Sequence, residues 1–170
     1  MGIPAPEPAA ALPLAAVTSR SLAPLIADTH LTLTRPDGRV LLLVRAGTGY
    51  MDGHASLPAG HVEPGEAADA ATVREGKEEI GVVVDPADLA FTHVMHRRTP
   101  GEAGARVSFF FTASRWTGEA VNAEPHKCSG LIWADPADLS GTTVGVPVVG
   151  YVADALAAIG RGEGFSAHGW

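Results

Sequence analysis

Gly60-His61-Val62-Glu63-Pro64-Gly65-Glu66, seven further residues, and then Arg74-Glu75-Gly76-Lys77-Glu78-Glu79-Ile80-Gly81-Val82 form the most informative stretch of this chain. Pro64-Gly65 marks a turn, and residues 66–80 read as a helix. Glu66 and Asp69 fall in its first turn, where negative charge suits the helix dipole. Gly81 stands where a left-handed C-terminal cap is expected. Glu75, Glu78 and Glu79 are spaced i, i+3 and i+4, so they share one helix face. Each like-charge pair at that spacing destabilises a helix by roughly 0.2–0.5 kcal/mol. A chain selected only for stability would scatter these charges. Hard oxygen donors gathered on one face suit Mg²⁺ or Mn²⁺. Such ions bind phosphate oxygens and acidify water. A bare Glu-x-x-Glu-Glu pattern is usually a solvated helix face. Here a glycine turn precedes it, an acid opens the helix, an arginine adjoins the acids and a glycine closes it.

Working outward, residues 22–34 are rich in apolar and β-branched types, as in a strand. Pro36-Asp37-Gly38 is a turn signal. Val40-Leu41-Leu42-Leu43-Val44 is short and continuously apolar, the pattern of a strand buried on both faces. Residues 46–56 contain Gly47, Gly49 and Gly53 and read as a loop. Beyond the acidic helix, strands are expected at about 89–97, 105–116 and 131–134. A last helix is expected at about 147–161, with Val148, Val152, Leu156 and Ile159 as its buried stripe. Mixed strands and helices with hairpin-like connections predict an α/β architecture. Residues 1–20, rich in Ala and Pro, read as a flexible N-terminal arm, and residues 21–170 as a single domain.

Composition narrows the function classes. The chain has 170 residues, 46% of them hydrophobic, enough to close a core. Its formal charge of −7 argues against a nucleic-acid polymer as partner, because an acidic surface gains little from counterion release. A phosphate-rich small molecule would need metal cations or a local basic cluster to offset the same repulsion. Cys128 is the only cysteine, so no intrachain disulfide and no oxidising compartment are implied. No apolar run approaches the ~18 residues of a membrane span. The first 20 residues lack positive charge ahead of an apolar stretch, so they make a poor secretory signal. A cytoplasmic protein with no membrane partner is the expectation.

Residues 60–82 resemble the Nudix box of the MutT-like hydrolases: Gly, five residues, Glu, seven residues, Arg-Glu, an aliphatic residue, one residue, Glu-Glu, one residue, Gly and an aliphatic residue. Gly60, Glu66, Arg74, Glu75, Glu78, Glu79 and Gly81 occupy the fixed positions, Val82 closes the box, and Leu57-Pro58-Ala59 looks like its usual approach. Gly76 departs from the pattern, since the family carries an aliphatic residue there. Glycine inside a helix costs about 1 kcal/mol relative to alanine. It also removes a side chain expected to pack beneath the acidic face.

The resemblance implies a Nudix α/β/α sandwich with a mixed central sheet and a loop-helix-loop catalytic motif. It also implies a Mg²⁺-dependent hydrolase, Mn²⁺ being an alternative ion. The enzyme would cleave a diphosphate linkage in a nucleoside triphosphate or another nucleoside diphosphate derivative. By the same resemblance Glu78 and Glu79 are metal ligands, and Glu75 is either a ligand or the group that helps to deprotonate water. Ala59 offers its backbone carbonyl to the metal, and Arg74 positions the carboxylates. Glu124, in the loop ahead of Trp133, is the candidate for a further ligand. The expected partner is a small nucleotide, and homodimers are frequent in the family. Two rivals differ in class: a nucleotide sensor that keeps the fold without cleavage, and a diphosphate isomerase built on a cysteine. The intact carboxylates weigh against the first. The position of Cys128, in a loop well after the box, weighs against the second.

His93 and His96 are three apart in an expected strand and read as structural rather than as a metal pair. Arg97, Arg98 and Arg106 read equally as phosphate contacts or as a solvated edge.

Overall fold

A computed structural model describes residues 24–99, 101 and 104–170, so the N-terminal arm expected at 1–20 lies outside the described residues. Among the described residues, eight strands and three α-helices run in the order β1 (Leu25–Leu33), β2 (Val40–Arg45), β3 (Ala55–Ser56), β4 (Ala59–His61), α1 (Ala68–Ile80), β5 (Ala90–Arg97), β6 (Ala105–Ala113), β7 (Cys128–Ala134), α2 (Gly141–Val144), α3 (Gly150–Gly160) and β8 (Phe165–His168). The strands form a mixed five-stranded sheet, β4-β1-β6-β5-β8, and a three-stranded sheet, β3-β2-β7. β1 lies parallel to β6 and antiparallel to β4, which brings the start of the acidic segment beside Asp28 and His30.

β2 explains how the two cores meet. Its alternate residues Val40 and Leu42 pack with Met95, Phe110, Val152 and Leu156. Leu41 and Leu43 pack with Leu31, Leu33, Ile80 and Val82. A strand buried on both faces needs apolar side chains at both parities, hence its unbroken apolar run. α3 begins at Gly150, three residues later than expected. Within its expected stripe Val152 and Leu156 are fully buried, while Val148 and Ile159 are partly buried against the same core.

α1 is shorter at its N-terminus than the expected 66–80. It starts at Ala68, so of the two acids only Asp69 lies in the first turn, and Glu66 stays in the preceding loop. Gly81 adopts φ 71°, the left-handed cap conformation, and its N–H bonds to the last-turn carbonyls. The buried face of α1 is Ala71, Thr72, Gly76 and Ile80, mostly small residues, so the helix lies close on β1. Thr72 Oγ1 bonds Thr29 Oγ1 across this contact. Gly76 leaves no void. A Cβ there would stand 2.9 Å from Leu31 Cδ2, so the leucine of β1 fills the notch.

Gly76→Ile is therefore expected to destabilise the fold by about 1–3 kcal/mol through overpacking, in spite of isoleucine's better helix propensity. Leu31→Ala alone is expected to cost about 2–5 kcal/mol. Denaturant unfolding of the double variant should show a loss well below the sum of the two. Strict additivity would mean that the two positions do not share a volume.

Candidate active site

A pocket of about 500 Å³ opens where β1, β4, α1 and the loop before β7 converge, a size typical of small-molecule sites. Its acidic end is built from the box. The N–H of Ala59, the first residue of β4, donates to Glu79 Oε2 at 2.8 Å. Glu79 is mostly buried, and among the described residues no cation bonds it. Burial, reinforced by the neighbouring Glu75 and Glu124 carboxylates, pushes its pKa up to about 8, although the Ala59 N–H and Lys127 oppose the rise. Glu75 is half-buried and also raised, mainly by burial, against the opposing effect of Arg74. Its carboxyl lies directly on Gly60, where any Cβ would overlap it.

Arg74 ties the loop to the helix. It grips Glu66 as a two-pronged fork, Nε to Oε1 and Nη2 to Oε2, both at 2.9 Å. Nη2 also donates to the His61 carbonyl at 3.0 Å. Nη1 donates to Glu75 Oε1 at 2.6 Å. The Glu66 carboxyl is held down to about 2, chiefly by these hydrogen bonds from Arg74. Glu66 also accepts from the Glu63 N–H, so it is the brace of the turn.

The three box glutamates do not converge equally. Glu75 and Glu79 line the pocket together with Ala59 and Glu124. Glu78 does not: its side chain is 53% exposed, with Oε2 3.3 Å from Arg74 Nη1. The physical reason is angular. On a helix of 3.6 residues per turn, positions i+3 and i+4 fall on opposite sides of position i. Glu124 Oε1 is paired with Lys127 Nζ at 2.8 Å. Among the described residues, no group of three carboxylate, imidazole or thiol side chains is gathered tightly enough to cage an ion by itself. Like charges separate, and the cations of Arg74 and Lys127 stand beside them.

The other end of the pocket joins Arg97 and Arg106, which the sequence offers as phosphate contacts or a solvated edge, to Asp28, His30, Tyr50 and Tyr151, which the sequence reading missed. Asp28, buried in β1, accepts from Arg97 Nη2 at 2.6 Å and Arg106 Nη1 at 3.3 Å, and its Oδ1 lies 3.3 Å from His30 Nε2. Burial alone would raise the Asp28 carboxyl. His30, Arg97 and a bond to Ser108 outweigh it and hold the group well below the usual carboxylate range. His30 stacks on Phe110 at 4.5 Å, and Arg97 lies over the Tyr151 ring at 4.0 Å. Tyr50 and Tyr151, the only tyrosines of the chain, both line the pocket. A signal existed: Asp28 and His30 are polar at period two within an apolar strand, which puts both on one face.

The two histidines weighed in the sequence, His93 and His96, fall outside the pocket. His93 is fully buried and structural, bonded to the Glu163 carbonyl and Ser166 Oγ. His96 packs on Trp170, whose Nε1 donates to the His96 carbonyl. That contact anchors the end of β8, an edge strand that the sequence reading did not resolve. Cys128 is buried at the pocket wall.

A profile of the NUDIX domain family matches residues 24–149. The MutT NUDIX hydrolase from Burkholderia pseudomallei is 25% identical to this chain. It superposes with a TM-score of 0.69 over 79% of this chain and 97% of its own. The MutT protein from Methanosarcina mazei Go1 is 20% identical, with a TM-score of 0.66 over 83% and 97%. The E. coli ORF135 protein is 21% identical, with a TM-score of 0.65 over 82% and 91%. The last two speak to the fold alone. No curated protein gives a significant match.

Proposed function

The chain belongs to the Nudix domain family, whose members generally act on small nucleotide substrates with divalent metal ions, and on that premise we propose that it hydrolyses a diphosphate linkage in a nucleoside triphosphate or another nucleoside diphosphate derivative. The observation that carries this reading is the charge layout of the pocket. Asp28, Glu75, Glu79 and Glu124 face Arg45, Arg97, Arg106 and Lys127, so four carboxylates meet four cations in a chain whose net charge is −7. A pocket whose acidic and basic side chains are equal in number becomes anion-attracting when a divalent ion joins its acidic end.

The donor set fits such an ion. Glu75, Glu79 and Glu124 with the Ala59 carbonyl are all hard oxygens. Glu79 in particular is a buried carboxylate with a single backbone donor. Glu78 belongs to the set as its solvent-side member. We take Mg²⁺ as the ion, Mn²⁺ being the alternative. When bound, it would polarise the phosphoryl oxygens and lower the pKa of the attacking water. The protein's own groups do the rest. Arg74 holds Glu75 in place, and Glu75 either completes the ligand set or takes a proton from water. Arg97 and Arg106 give the far end positive charge, and the faces of Tyr50 and Tyr151 offer flat apolar surface to a base. No helix among the described residues is long and apolar enough to cross a membrane. A cytoplasmic location and a single catalytic domain over residues 21–170 complete the reading.

The test is phosphate release from a panel of ordinary and oxidised nucleoside triphosphates, nucleotide sugars, ADP-ribose and dinucleotides in Mg²⁺. Turnover of one class is the expected result, and it names the substrate. Tight binding of one member without turnover of any would replace the hydrolase with a nucleotide sensor.

A further inference from the structure

The cations of the pocket are not held alike. Arg97 is buried, bonded to Asp28 and to Ser108 Oγ at 2.8 Å, and covered by Tyr151. Arg106 bonds Asp28 and His61. Arg45 donates to the Tyr50 carbonyl at 2.8 Å and to Thr48 Oγ1 at 3.1 Å. Lys127 differs. Its side chain is 53% exposed, and among the described residues its one side-chain partner is Glu124. Its backbone is fixed. The N–H groups of Lys127 and Cys128 both donate to the Glu124 carbonyl, and the Ala46 N–H donates to the Lys127 carbonyl. Asn122 Nδ2 donates to the Cys128 carbonyl. A rigid turn thus carries one long, loosely tethered cation beside the carboxylates.

We propose that Lys127 is a mobile phosphate-binding residue of this pocket: its ammonium neutralises Glu124 while the acidic end holds no metal, and donates to a phosphoryl oxygen of the substrate once Glu124 serves a divalent ion. The inference rests on the reading of Glu75, Glu79 and Glu124 as cation ligands. One carboxylate oxygen cannot serve an ammonium and a divalent ion equally well, so the two compete for Glu124. An exposed ion pair is weak, and the ammonium is released at little cost. Lysine suits the second task, because a compact charge with three donors on a flexible stem can follow phosphate oxygens. The three arginines, locked by their bonds, can only mark fixed positions. The tyrosines and Asp28 then lie beyond the phosphates, where the rest of the substrate would sit.

Two titrations test this on wild type, Lys127→Met and Lys127→Arg. The first adds Mn²⁺ to the metal-free protein. The second adds inorganic pyrophosphate to the Mn²⁺-loaded protein at constant free Mn²⁺. Lys127→Met is expected to bind Mn²⁺ up to about fivefold more tightly, since the competitor for Glu124 is gone. It is expected to bind pyrophosphate about 10- to 100-fold more weakly, the range for one lost charge-assisted hydrogen bond. Lys127→Arg should regain most of the pyrophosphate affinity. Unchanged pyrophosphate binding in Lys127→Met overturns the inference, whatever happens to Mn²⁺. Weaker Mn²⁺ binding in that variant also overturns it, making the lysine a support for the Glu124 turn. A wild type that takes up no Mn²⁺ removes the reading of the carboxylates and this inference with it. Uptake by wild type with no change in the variant removes this inference alone.

Discussion

Glu79→Gln is expected to lower turnover by roughly 10³-fold, the effect of losing several kcal/mol of charge stabilisation at phosphorus. It is also expected to stabilise the metal-free protein at pH 8. Both results follow from one burial. Glu79 sits under Ala59 among Glu75 and Glu124, and its carboxyl is pushed up to about 8 from an ordinary 4.5, burial being the main cause. Below the ordinary value, folded and unfolded chains both carry the proton, and this group adds no pH dependence. Between the ordinary value and about 8, the folded protein keeps a proton that the unfolded chain has lost. Stability therefore falls as pH rises through that window and stays at its lowest above it. Glutamine is neutral at every pH, and its Oε1 can still accept the Ala59 N–H, so the fall should vanish in the variant. For a chain of this size each kcal/mol gained raises Tm by about 2–4 °C. The measurement is Tm against pH in chelator for both proteins, with turnover beside it. A wild-type curve flat from pH 5 to 8 would show that Glu79 is not the strained carboxyl described. Unchanged turnover would remove it from the catalytic set. Glu78→Gln, at the exposed position, should lose less than Glu79→Gln.

Gly60→Ala should cost about 10²-fold in kcat with little loss of stability. A Cβ at this position overlaps the Glu75 carboxyl, whose Oε1, Cδ and Oε2 are its three nearest atoms. The glutamate side chain can swing away, so the fold survives, but the bond from Arg74 Nη1 to Glu75 Oε1 cannot keep its place. A misplacement of about 1 Å in a reacting group is enough for a loss of that size. Turnover together with denaturant unfolding separates the effects. Normal kcat in Gly60→Ala would mean that the seat of Glu75 is unimportant. Lost stability with normal kcat would make Gly60 a packing glycine only.

Much of the scaffold is legible in the sequence. The acidic helix, its glycine cap, the doubly buried β2 and the later strands all appear within a few residues of their expected places. Each is written in local terms. Like charges at i+3 and i+4 share a face, Gly81 takes a positive φ that other residues resist, and a run apolar at both parities must be covered on both sides. α1 starts two residues later than its sequence pattern suggests because Glu66 is an acid that brackets the helix from outside. Its partners, Arg74 and the Glu63 N–H, are tertiary and turn contacts rather than a dipole.

By itself, then, the sequence determined the box, the helix that carries Glu75, Glu78 and Glu79, and the family to which they belong. Those are properties of about two dozen consecutive residues. Only the tertiary structure decided which carboxylates share a pocket. It sets Glu124 beside Glu75 and Glu79, leaves Glu78 in solvent, and lets Leu31 fill the notch of Gly76. It also joins Asp28 to Arg97 and Arg106 through the pairing of β1, β6 and β5. These contacts cross some 70 to 80 positions of chain. They depend on strand register, which is chosen by the packing of whole faces and not by any neighbouring residues.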